Sequence, residues 1–443
     1  LGSVAAATAV ALALPATAMA TNGYQLIGVG AYQKGMAGAV TAAPKSAMTA
    51  ISNPAGMAAI GSRADFSMEA FMPERHADFS ASRGDKAESE TDMYGVPAIG
   101  WTAPTSEGSD LYFGGGMYGT SGMGVDYGQT TMMPMQAGSM PDGGPATNTE
   151  AKWDGYSNIQ LWEMAPTLAW EMSDQLKLGA SLNISYQSVA FQQRINAEYD
   201  GDTTNGDETL MNFDLSRSAS AFGYGLSFGA LYEINDQLQV GASYKTKQSF
   251  NDLDYQLAAG DVYVDQQGNP FGTPGPAGTY SLGLDLPQRM AIGGAWMPSE
   301  DLTVSADIKW INWSDTMDKL AVKGPNGTQR TMDPGWDDQT VFALGANWGV
   351  SDGIEVRAGY NYAKSPIQDE DVARNLILPA VVESHYTVGA GFDLAGGWEL
   401  DAHYMYVPEK TFTAPNDQTS MMDNGQEIGL SETSFGINLG YRF

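Results

Sequence analysis

The residues of this chain that could do chemistry match no catalytic or metal-binding pattern in its required context. Gly225–Gly229 (GLSFG) has the spacing of a serine-nucleophile elbow, but that motif needs a strand–turn–helix and here lies inside a run that predicts one strand. The three histidines, His76, His385 and His403, are scattered without metal-ligand spacing. The 443 residues include no Cys, which excludes disulfides and thiolate chemistry. The sequence therefore predicts a protein that is not an enzyme and holds no metal or cofactor.

The acidic composition limits the classes of partner. Asp and Glu number 52 against 22 Lys and Arg, for a formal net charge of −30. This charge argues against nucleic acid as a partner and favours solvated, mutually repelling surface loops. Asp200–Glu208 (DGDTTNGDE) resembles a calcium-binding loop, but its Asn-Gly falls one position late for an EF-hand. A flexible acidic outer loop is the better interpretation, and weak binding of divalent cations is left open.

A pattern that occurs five times predicts the elements that position everything else. Each copy has an aromatic residue, a short polar turn, and an apolar residue that starts a new alternating run. Such a copy indicates a tight turn between two strands, with an aromatic side chain at a fixed depth. Short turns on one side and a ring of aromatics at the interface are typical of a transmembrane β-barrel. The copies are Trp170–Leu176, Tyr232–Leu238, Trp296–Leu302, Trp348–Ile354 and Phe392–Trp398.

The alternating runs after these turns separate a membrane barrel from a soluble sandwich. A sandwich also alternates, but it turns its apolar face to a core. Here the runs last about 9–11 residues, the length with which a tilted strand crosses a bilayer. They also end in a second set of aromatics, which favours a second interface girdle. The residues of that second set are Tyr186, Trp310, Tyr362 and Tyr406.

Fourteen strands are predicted, an even number that places both chain ends on one side of the membrane. The fold class is therefore all-β, a transmembrane antiparallel β-barrel of 14 strands. Short connections such as 173–175 are assigned to the periplasm, and long polar ones such as 73–92 to the exterior. Strands are expected near 61–72, 93–103, 110–120, 157–172, 176–194, 220–234, 238–250, 281–298, 302–314, 339–350, 354–364, 384–394, 398–409 and 431–443.

Two segments precede the barrel, which is assigned to residues 61–443. Residues 1–20 carry no charge and end in Ala-Met-Ala, the pattern of a secretory signal cleavage site, although a basic n-region is missing. The mature chain is expected to begin at Thr21, after cleavage near Ala20. Residues 21–60 do not alternate; they are rich in Ala and Gly and interrupted by prolines, which favours short helices and turns in a plug inside the lumen.

The export signal, the strands and the chain end together predict a location. No later apolar run is long enough for a membrane helix, so an exported chain of alternating strands is expected in the outer membrane of a Gram-negative bacterium. The last strand alternates up to Phe443 and resembles the C-terminal signal that the barrel-assembly machinery reads. Expected partners are that machinery, outer-membrane lipid and lipopolysaccharide, and the barrel is expected to be a monomer.

Function is expected where the chain departs from the repeated pattern. Glycines in the third strand indicate a bulge or kink. The long 121–155 loop is rich in methionine, whose soft side chains suit adaptable apolar contacts. Leu376–Val382 is an apolar run in an outer loop, which indicates a ligand unless loop packs on loop. An apolar outer surface above a plugged barrel suggests a hydrophobic substrate. The residues concerned are Gly114, Gly115, Gly116 and Gly119, with Met123, Met132, Met133, Leu376, Ile377 and Leu378.

Four short motifs occur in order along the chain. Asn53-Pro54-Ala55 resembles a hatch motif, and Trp313–Leu320 (WSDTMDKL) matches a W-S-x-F-x-x-L strand end with Met317 in place of the usual Phe. Further on, Arg357–Tyr362 (RAGYNY) is followed by Ser-Pro-Ile, and Leu378–Glu383 reads LPAVVE. On fourteen strands with an N-terminal plug, these motifs make essentially the whole mature chain resemble the FadL/TodX family of outer-membrane transporters for long-chain fatty acids and hydrocarbons.

The resemblance implies passive uptake of hydrophobic molecules. In such a transporter, substrate is captured at an outer groove, enters a tighter pocket, and leaves by a hatch rearrangement and a lateral exit at a kinked third strand. The hatch would be Asn53, Pro54, Ala55 and Gly56, and the kink would lie at the third-strand glycines. A fatty carboxylate would need a cation, because burying an unpaired charge is costly. The candidate cations on the lumen side are Lys177, Lys245, Lys309 and Arg357, which also suit balancing lumen acids.

Two other functions are left open for a barrel of this kind. A general porin would conduct hydrophilic solutes, although its constriction usually comes from an inward-folded loop and not from an N-terminal plug. An adhesin or phage receptor would act through its acidic loops and leave the lumen incidental. The sequence does not choose between a fatty acid, an aromatic and an alkane as ligand.

Overall fold

The barrel closes with fourteen antiparallel strands, as predicted. The structure, a computed structural model, describes residues 22–135, 149–199, 208–267, 269–416 and 424–443. Each wall strand pairs with its neighbours in sequence, and β1 pairs with β14 from Arg63↔Arg442 to Asp78↔Glu427, which closes the wall. The strands are β1 Arg63–Asp78, β2 Tyr94–Pro104, β3 Leu111–Met135, β4 in two parts (Thr149–Met164 and Thr167–Glu171), β5 Leu176–Tyr199, β6 Glu208–Asn235, β7 Leu238–Lys245, β8 Arg289–Ser299, β9 Leu302–Ile311, β10 Gln339–Ser351, β11 Ile354–Ala363, β12 Ser384–Asp393, β13 Trp398–Thr413 and β14 Glu427–Arg442.

The remaining elements are short. The α-helices are α1 Gly30–Gly35, α2 Thr49–Ser52 and α3 Ser314–Met317, and 3-10 helices span Pro54–Ala58, Ser80–Ser82, Pro325–Gly327, Asp369–Arg374 and Ala395–Gly397. None of the helices in these described ranges is long and apolar enough to cross a membrane. Short strands outside the wall are Lys86–Glu88, Ser249–Phe250, Leu253–Leu257, Tyr263–Gln266, Asn269–Pro274, Gly278–Leu282, Leu320–Lys323 and Gln329–Met332.

The alternation along the wall strands separates a polar lumen from an apolar outer face. On β5, Ser181, Asn183 and Ser185 are buried toward the lumen, whereas Leu182 and Tyr186 are exposed on the outside. This is the arrangement of a barrel whose outer face meets lipid. The aromatics that begin the five turn copies point outward and are 39% to 55% exposed, as a girdle requires; they are Trp170, Tyr232, Trp296, Trp348 and Phe392.

The predicted strand limits agree with the structure at the short turns and differ at the outer ends. The segment 121–155 was predicted as a loop, but β3 continues to Met135 and β4 begins at Thr149. Beyond the bilayer the backbone ladder can continue without an apolar outer face, so the alternation no longer marks where a strand ends. The predicted strand start at 281 is also wrong, because Gly278–Leu282 pairs with Leu253–Leu257 in a small outer sheet and β8 begins at Arg289.

Some predicted features fall outside the described residues. These are the signal segment 1–20 with its cleavage site, and nearly all of the acidic segment 200–208. The GLSFG segment, by contrast, lies inside β6 as one continuous strand. Its serine, Ser227, is buried and accepts a hydrogen bond from Asn183 at 2.8 Å. The segment is therefore part of the wall, as its alternation predicted.

Candidate functional site

The N-terminal residues lie inside the barrel against glycines of the wall. A Cβ added at Gly179 of β5 would collide with Pro54, and one at Gly229 of β6 with Asn53. Further lumen-facing glycines meet the plug backbone on other sides of the barrel. Glycine is needed at these positions because the two backbones approach too closely for any side chain. The further contacts are Gly241 of β7 with Thr41, Gly345 of β10 with Met36, and Gly359 of β11 with Ala37.

The Asn53–Gly56 motif fixes the plug to the wall. The Asn53 side chain accepts a hydrogen bond from the Ala55 N–H (3.2 Å) and so caps the 3-10 helix that Pro54 begins. Its amide also donates to the carbonyl oxygens of Thr41 (2.7 Å) and of Ala230 on β6 (3.1 Å). Asn53 is fully buried, so each of these bonds is shielded from water. The motif therefore joins two parts of the plug to one strand.

Polar side chains of the wall hold the rest of the plug. Lys34 of α1 forms a buried ion pair with Glu69 of β1 at 3.0 Å. The Asp65 carboxylate accepts a hydrogen bond from the Ala47 N–H at 2.7 Å. Lys45 pairs with Glu355 of β11. Because these contacts reach strands on different sides of the barrel, the plug from α1 onward is bonded around its circumference.

The wall is open between β2 and β3. These strands pair from Pro104↔Tyr112 to Ala98↔Tyr118 and then separate. Residues 22–27, a segment that is bridged to β3 at Gln25↔Ser121 and that we call the N-terminal strand, take the vacant edge of β3 instead. The Leu26 N–H donates to the carbonyl oxygen of Thr120 (3.2 Å), and the Gly122 N–H donates to that of Tyr24 (3.1 Å). The result is a break in the hydrogen-bonded wall with a plug segment behind it.

The break opens into a cavity of about 330 Å³. Val96 of β2 and Met93, the residue before that strand, lie on one side, and Met123 of β3 lies on the other. Ile159 and Leu161 of β4, both buried, add apolar surface. The cavity is therefore a mainly apolar passage through the barrel wall, which we call the wall gap.

The four glycines of β3 occupy two places. Gly119 lies at the wall gap, where a Cβ would come within 2.9 Å of the Val96 Cγ1 atom. The ladder to β4 shifts register between Gly119 and Ser121, which marks a bulge there. Gly114–Gly116 lie lower, beside the interruption of β4, and Gly115 adopts a φ of 122° that only glycine tolerates readily. β3 therefore has a bulge at Gly119 and a second irregularity below it, and the role of these glycines as an exit kink stays a prediction.

A second, smaller cavity of about 60 Å³ lies inside the barrel and is lined in part by cationic side chains. Lys245 and Lys309, both predicted, line it together with Arg289 and Glu163. Lys245 is paired with Glu163 at 2.5 Å. Lys309 donates to the carbonyl oxygen of Gly38 at 2.5 Å. We call this space the inner cavity.

Arg289 is a third cation of the inner cavity, and its position could not be predicted from the sequence pattern. It donates to the carbonyl oxygen of Ile51 at 2.7 Å. Among the described residues, no carboxylate oxygen lies within ion-pair distance of it. Arg289 is the first residue of β8, and the expectation that this strand begins near 281 obscured its position at the cavity.

The N-terminal strand separates the two cavities. Leu26 and Ser121 line both the wall gap and the inner cavity. Tyr24 packs against two tryptophans of the outer loop after β9, with ring centroids 4.8 Å from Trp313 and 5.8 Å from Trp336. Burial, with a smaller contribution from the charge of Asp285, raises the pKa of the Tyr24 hydroxyl, so the side chain stays neutral at physiological pH. The aromatic contact therefore holds the strand in place independently of pH.

The other predicted ligand residues lie apart from the two cavities, except for Met123. Lys177 pairs with Glu233 (2.8 Å) and Glu171 (3.5 Å) near a short turn. Arg357 pairs with Asp401 (2.5 Å) and Glu355 (2.6 Å) and lies over the Tyr32 ring of the plug. The remaining candidates pack instead in a large apolar cluster formed by strand ends, N-terminal residues and outer loops, in which the run 376–378 is buried. They are Met132, Met133, Leu376, Ile377 and Leu378.

No metal site is indicated in the described part of the chain. No group of three or more His, Asp or Glu side chains there could hold a metal ion. The chemistry of the two cavities is therefore that of apolar contact, hydrogen bonding and charge.

Comparisons with known proteins match the chain along its length. A family model described as outer membrane protein transport protein (OMPP1/FadL/TodX) matches residues 7–443. The 47 kDa outer membrane protein of Pasteurella multocida is 24% identical over 228 residues, and the match spans about half of each chain, 50% and 51%. The long-chain fatty acid transport protein of Escherichia coli O6:H1 is 22% identical over 310 residues, 66% of this chain and 68% of that protein. The crystal structure of the Pseudomonas putida toluene transporter TodX superposes with a TM-score of 0.69 at 21% identity, covering 96% of this chain and 100% of that one.

Proposed function

This chain belongs to the outer membrane protein transport protein (OMPP1/FadL/TodX) family, and from that premise we propose that it carries hydrophobic molecules inward from the cell surface. The family is one of transport channels, so the chain is an outer-membrane transport protein and not an enzyme. Relatives named for long-chain fatty acid and for toluene transport support an apolar substrate.

The wall gap is the observation that carries the proposal. A polar solute has no reason to leave a barrel sideways, because the bilayer core offers no hydrogen bonds. For an apolar molecule this route avoids the free-energy cost of exposing apolar surface to water, since it passes from an apolar cavity directly into hydrocarbon. Apolar side chains form most of the lining of the wall gap, with Arg75 and Glu432 as its charged residues. Lateral release into the membrane is therefore the proposed last step of transport.

The N-terminal strand is the proposed gate. It is joined to β3 by the two backbone hydrogen bonds at Leu26 and Gly122, whereas the plug from α1 onward is bonded to many strands. Moving residues 22–27 alone would join the inner cavity to the wall gap, because this strand lies between them. In this proposal Asn53–Gly56, the hatch motif, is the fixed anchor from which the gate extends.

The cations of the inner cavity favour a substrate with a carboxylate at one end. Lys245, Lys309 and Arg289 line it. Lys245 pairs with Glu163 and Lys309 lies 3.7 Å from Asp307, so Arg289 is the lining cation without an acid partner among the described residues. A buried carboxylate needs such a partner, whereas a neutral hydrocarbon would leave Arg289 without one. Hydrophobic carboxylates such as long-chain fatty acids are thus the proposed substrates ahead of toluene-like hydrocarbons.

The porin alternative is less favoured by the same geometry. A general porin needs a continuous aqueous lumen, and here the plug is hydrogen-bonded to the wall on several sides. No specific observation in the described residues favours an adhesin or phage receptor. Transport of a hydrophobic molecule is therefore the function retained.

Uptake assays test the proposal directly. The chain is expressed in cells that lack their own transporter, and uptake of labelled oleate, toluene and an alkane is measured. We expect uptake of oleate above the empty-vector level and a smaller effect with the neutral compounds. Conductance for small hydrophilic solutes should stay low. If uptake of none of the three compounds rises above the empty-vector level, the proposed function is refuted.

A further inference from the structure

A depression of about 360 Å³ lies on the lipid-facing side of the wall, across β3 to β6. Its side chains point away from the lumen and face one another across the ladder. Met117 lies opposite Met164, and Trp162 lies opposite Tyr186. Tyr186 in turn packs on Phe222, with ring centroids 5.3 Å apart. The full lining is Met117, Trp162, Met164, Ile184, Tyr186 and Phe222, which we call the outer groove.

The irregular backbone at this level accounts for the outer groove. β4 is interrupted at Ala165 and Pro166, directly beside Gly115 of β3. A side chain at Gly115 would collide with the Ala165 carbonyl oxygen, so β3 presents no side chain there. Met117 and Met164 lie next to this position without a side chain, and both line the outer groove.

The outer groove is continuous with the wall gap. Trp162 lines both spaces. It lies opposite Gly119 in the ladder, at the edge where β2 and β3 separate. A molecule that passes outward through the wall gap therefore meets Trp162 first, and the outer groove begins on its far side.

We propose that the outer groove is the membrane-side receiving site for the hydrocarbon part of the departing substrate. The inference rests on the proposed lateral release, and it adds a defined path on the outer wall. Every side chain in the outer groove is apolar or aromatic, and its polar groups are the Tyr186 hydroxyl and the Trp162 indole N–H. The occupant we infer is the hydrocarbon chain of the proposed fatty-acid substrate, which packs along an apolar surface by dispersion contacts.

The physical setting makes this a site of passage. Lipid tails are as apolar as the outer groove, so burial there brings no hydrophobic gain over the bilayer. Binding strength then comes only from packing, and the substrate is held briefly before it diffuses into the membrane. Because Trp162 lines both the wall gap and the outer groove, a substrate that leaves through the wall gap reaches the outer groove before it mixes with bilayer lipid.

A photoreactive fatty acid tests the proposal in intact cells. Cells that express the full chain receive a brief external pulse of a long-chain fatty acid with a diazirine near its methyl end. They are illuminated at once, and the labelled residues are mapped by mass spectrometry. Labelling of the outer groove should exceed, several-fold, that of lipid-facing residues on the far wall. The far-wall controls are Ile308, Phe342 and Leu344, which are comparably exposed.

Substitutions that narrow the wall gap test whether the probe reaches the outer groove through it. Gly119→Val, or Val96→Phe from the other side, should lower labelling of the outer groove to the far-wall level. Equal labelling of the two walls in the unmutated protein would overturn the proposal. So would outer-groove labelling that persists after both substitutions, because the probe would then have arrived from the bilayer. Uptake is measured in the same cells. Normal uptake without labelling of the outer groove by the photoreactive fatty acid would refute this inference alone. Absence of uptake would refute the proposed function.

Discussion

One carboxylate oxygen of Asp307 on β9 accepts hydrogen bonds from both the backbone N–H (3.0 Å) and the hydroxyl (2.7 Å) of Thr41 in the plug. The same oxygen accepts a third bond, from the Val40 N–H at 3.1 Å. Asp307 is 2% exposed, so these bonds are protected from water. A single wall residue thus fixes the turn of the plug that follows Gly38.

Asp307→Ala should loosen the plug and make the barrel leaky. It leaves the N–H groups of Val40 and Thr41 without their acceptor, at a cost of about 1–3 kcal/mol for each buried group. Ion conductance in planar bilayers should rise, and residues 38–42 should exchange amide hydrogen faster. Glu300→Ala, at an exposed position in the turn before β9, is the matched control. An unchanged conductance together with unchanged exchange would show that this bond set does not hold the plug.

Gly119→Val should reduce uptake while leaving the barrel folded. The added Cβ would lie 2.9 Å from the Val96 Cγ1 atom, and the branched methyl groups would extend into the wall gap. Uptake of labelled oleate is the measurement, with heat-modifiable migration on gels as the check of folding. Gly294→Val serves as control, because a Cβ at that strand glycine meets nothing within 4 Å. Undiminished uptake in a folded Gly119→Val protein would argue against release through the wall gap.

The wall could be predicted from the sequence because the bilayer dictates it. A strand that faces lipid on one side and a polar lumen on the other must alternate, and its turn aromatics must sit at one depth. Trp170 and Trp348 show both requirements. The outer ends could not be predicted, since a strand such as β3 continues beyond the membrane, where neither requirement applies.

The candidate site was less predictable because it depends on contacts between distant segments. Glycines in β3 indicated a kink, but the pattern gave no sign that Tyr24–Leu26 would replace β2 as the partner of Thr120–Gly122. Lys245 and Lys309 were named as candidates from their lumen-facing positions, whereas Arg289 was not, because the predicted start of its strand was placed too early. The apolar run 376–378 is buried by packing, and its sequence alone does not distinguish such packing from a ligand site.

Arg289→Gln should weaken the binding of fatty acids more than that of neutral hydrocarbons. Arg289 has no carboxylate partner among the described residues, so its removal leaves no wall acid unpaired, unlike removal of Lys245 beside Glu163. Loss of one charge-assisted hydrogen bond, about 1.5–3 kcal/mol, corresponds to roughly a 10- to 150-fold rise in Kd. Displacement of a fluorescent fatty acid from the purified protein measures it. Arg217→Gln, at an exposed position on β6, is the control. An equal loss for oleate and for toluene would mean that Arg289 acts through packing.

Tyr24→Ala should release the N-terminal strand while the rest of the plug stays in place. The Tyr24 ring packs on Trp313 and Trp336, and truncating a buried aromatic costs about 3–5 kcal/mol. With the two backbone hydrogen bonds to β3 left to hold it, the strand should leave its position between the inner cavity and the wall gap for a measurable fraction of time.

Because the chain has no cysteine, Gln25→Cys provides a unique site for a nitroxide, and its mobility reports on the gate. The spectrum of Gln25→Cys should sharpen when Tyr24→Ala is added and stay broad with Tyr244→Ala, an exposed tyrosine of β7. A second label at Ala50→Cys in α2 should show no change, because that part of the plug is bonded to the wall. Equal loosening at both labels would mean that the plug moves as one body and that residues 22–27 are not a separate gate.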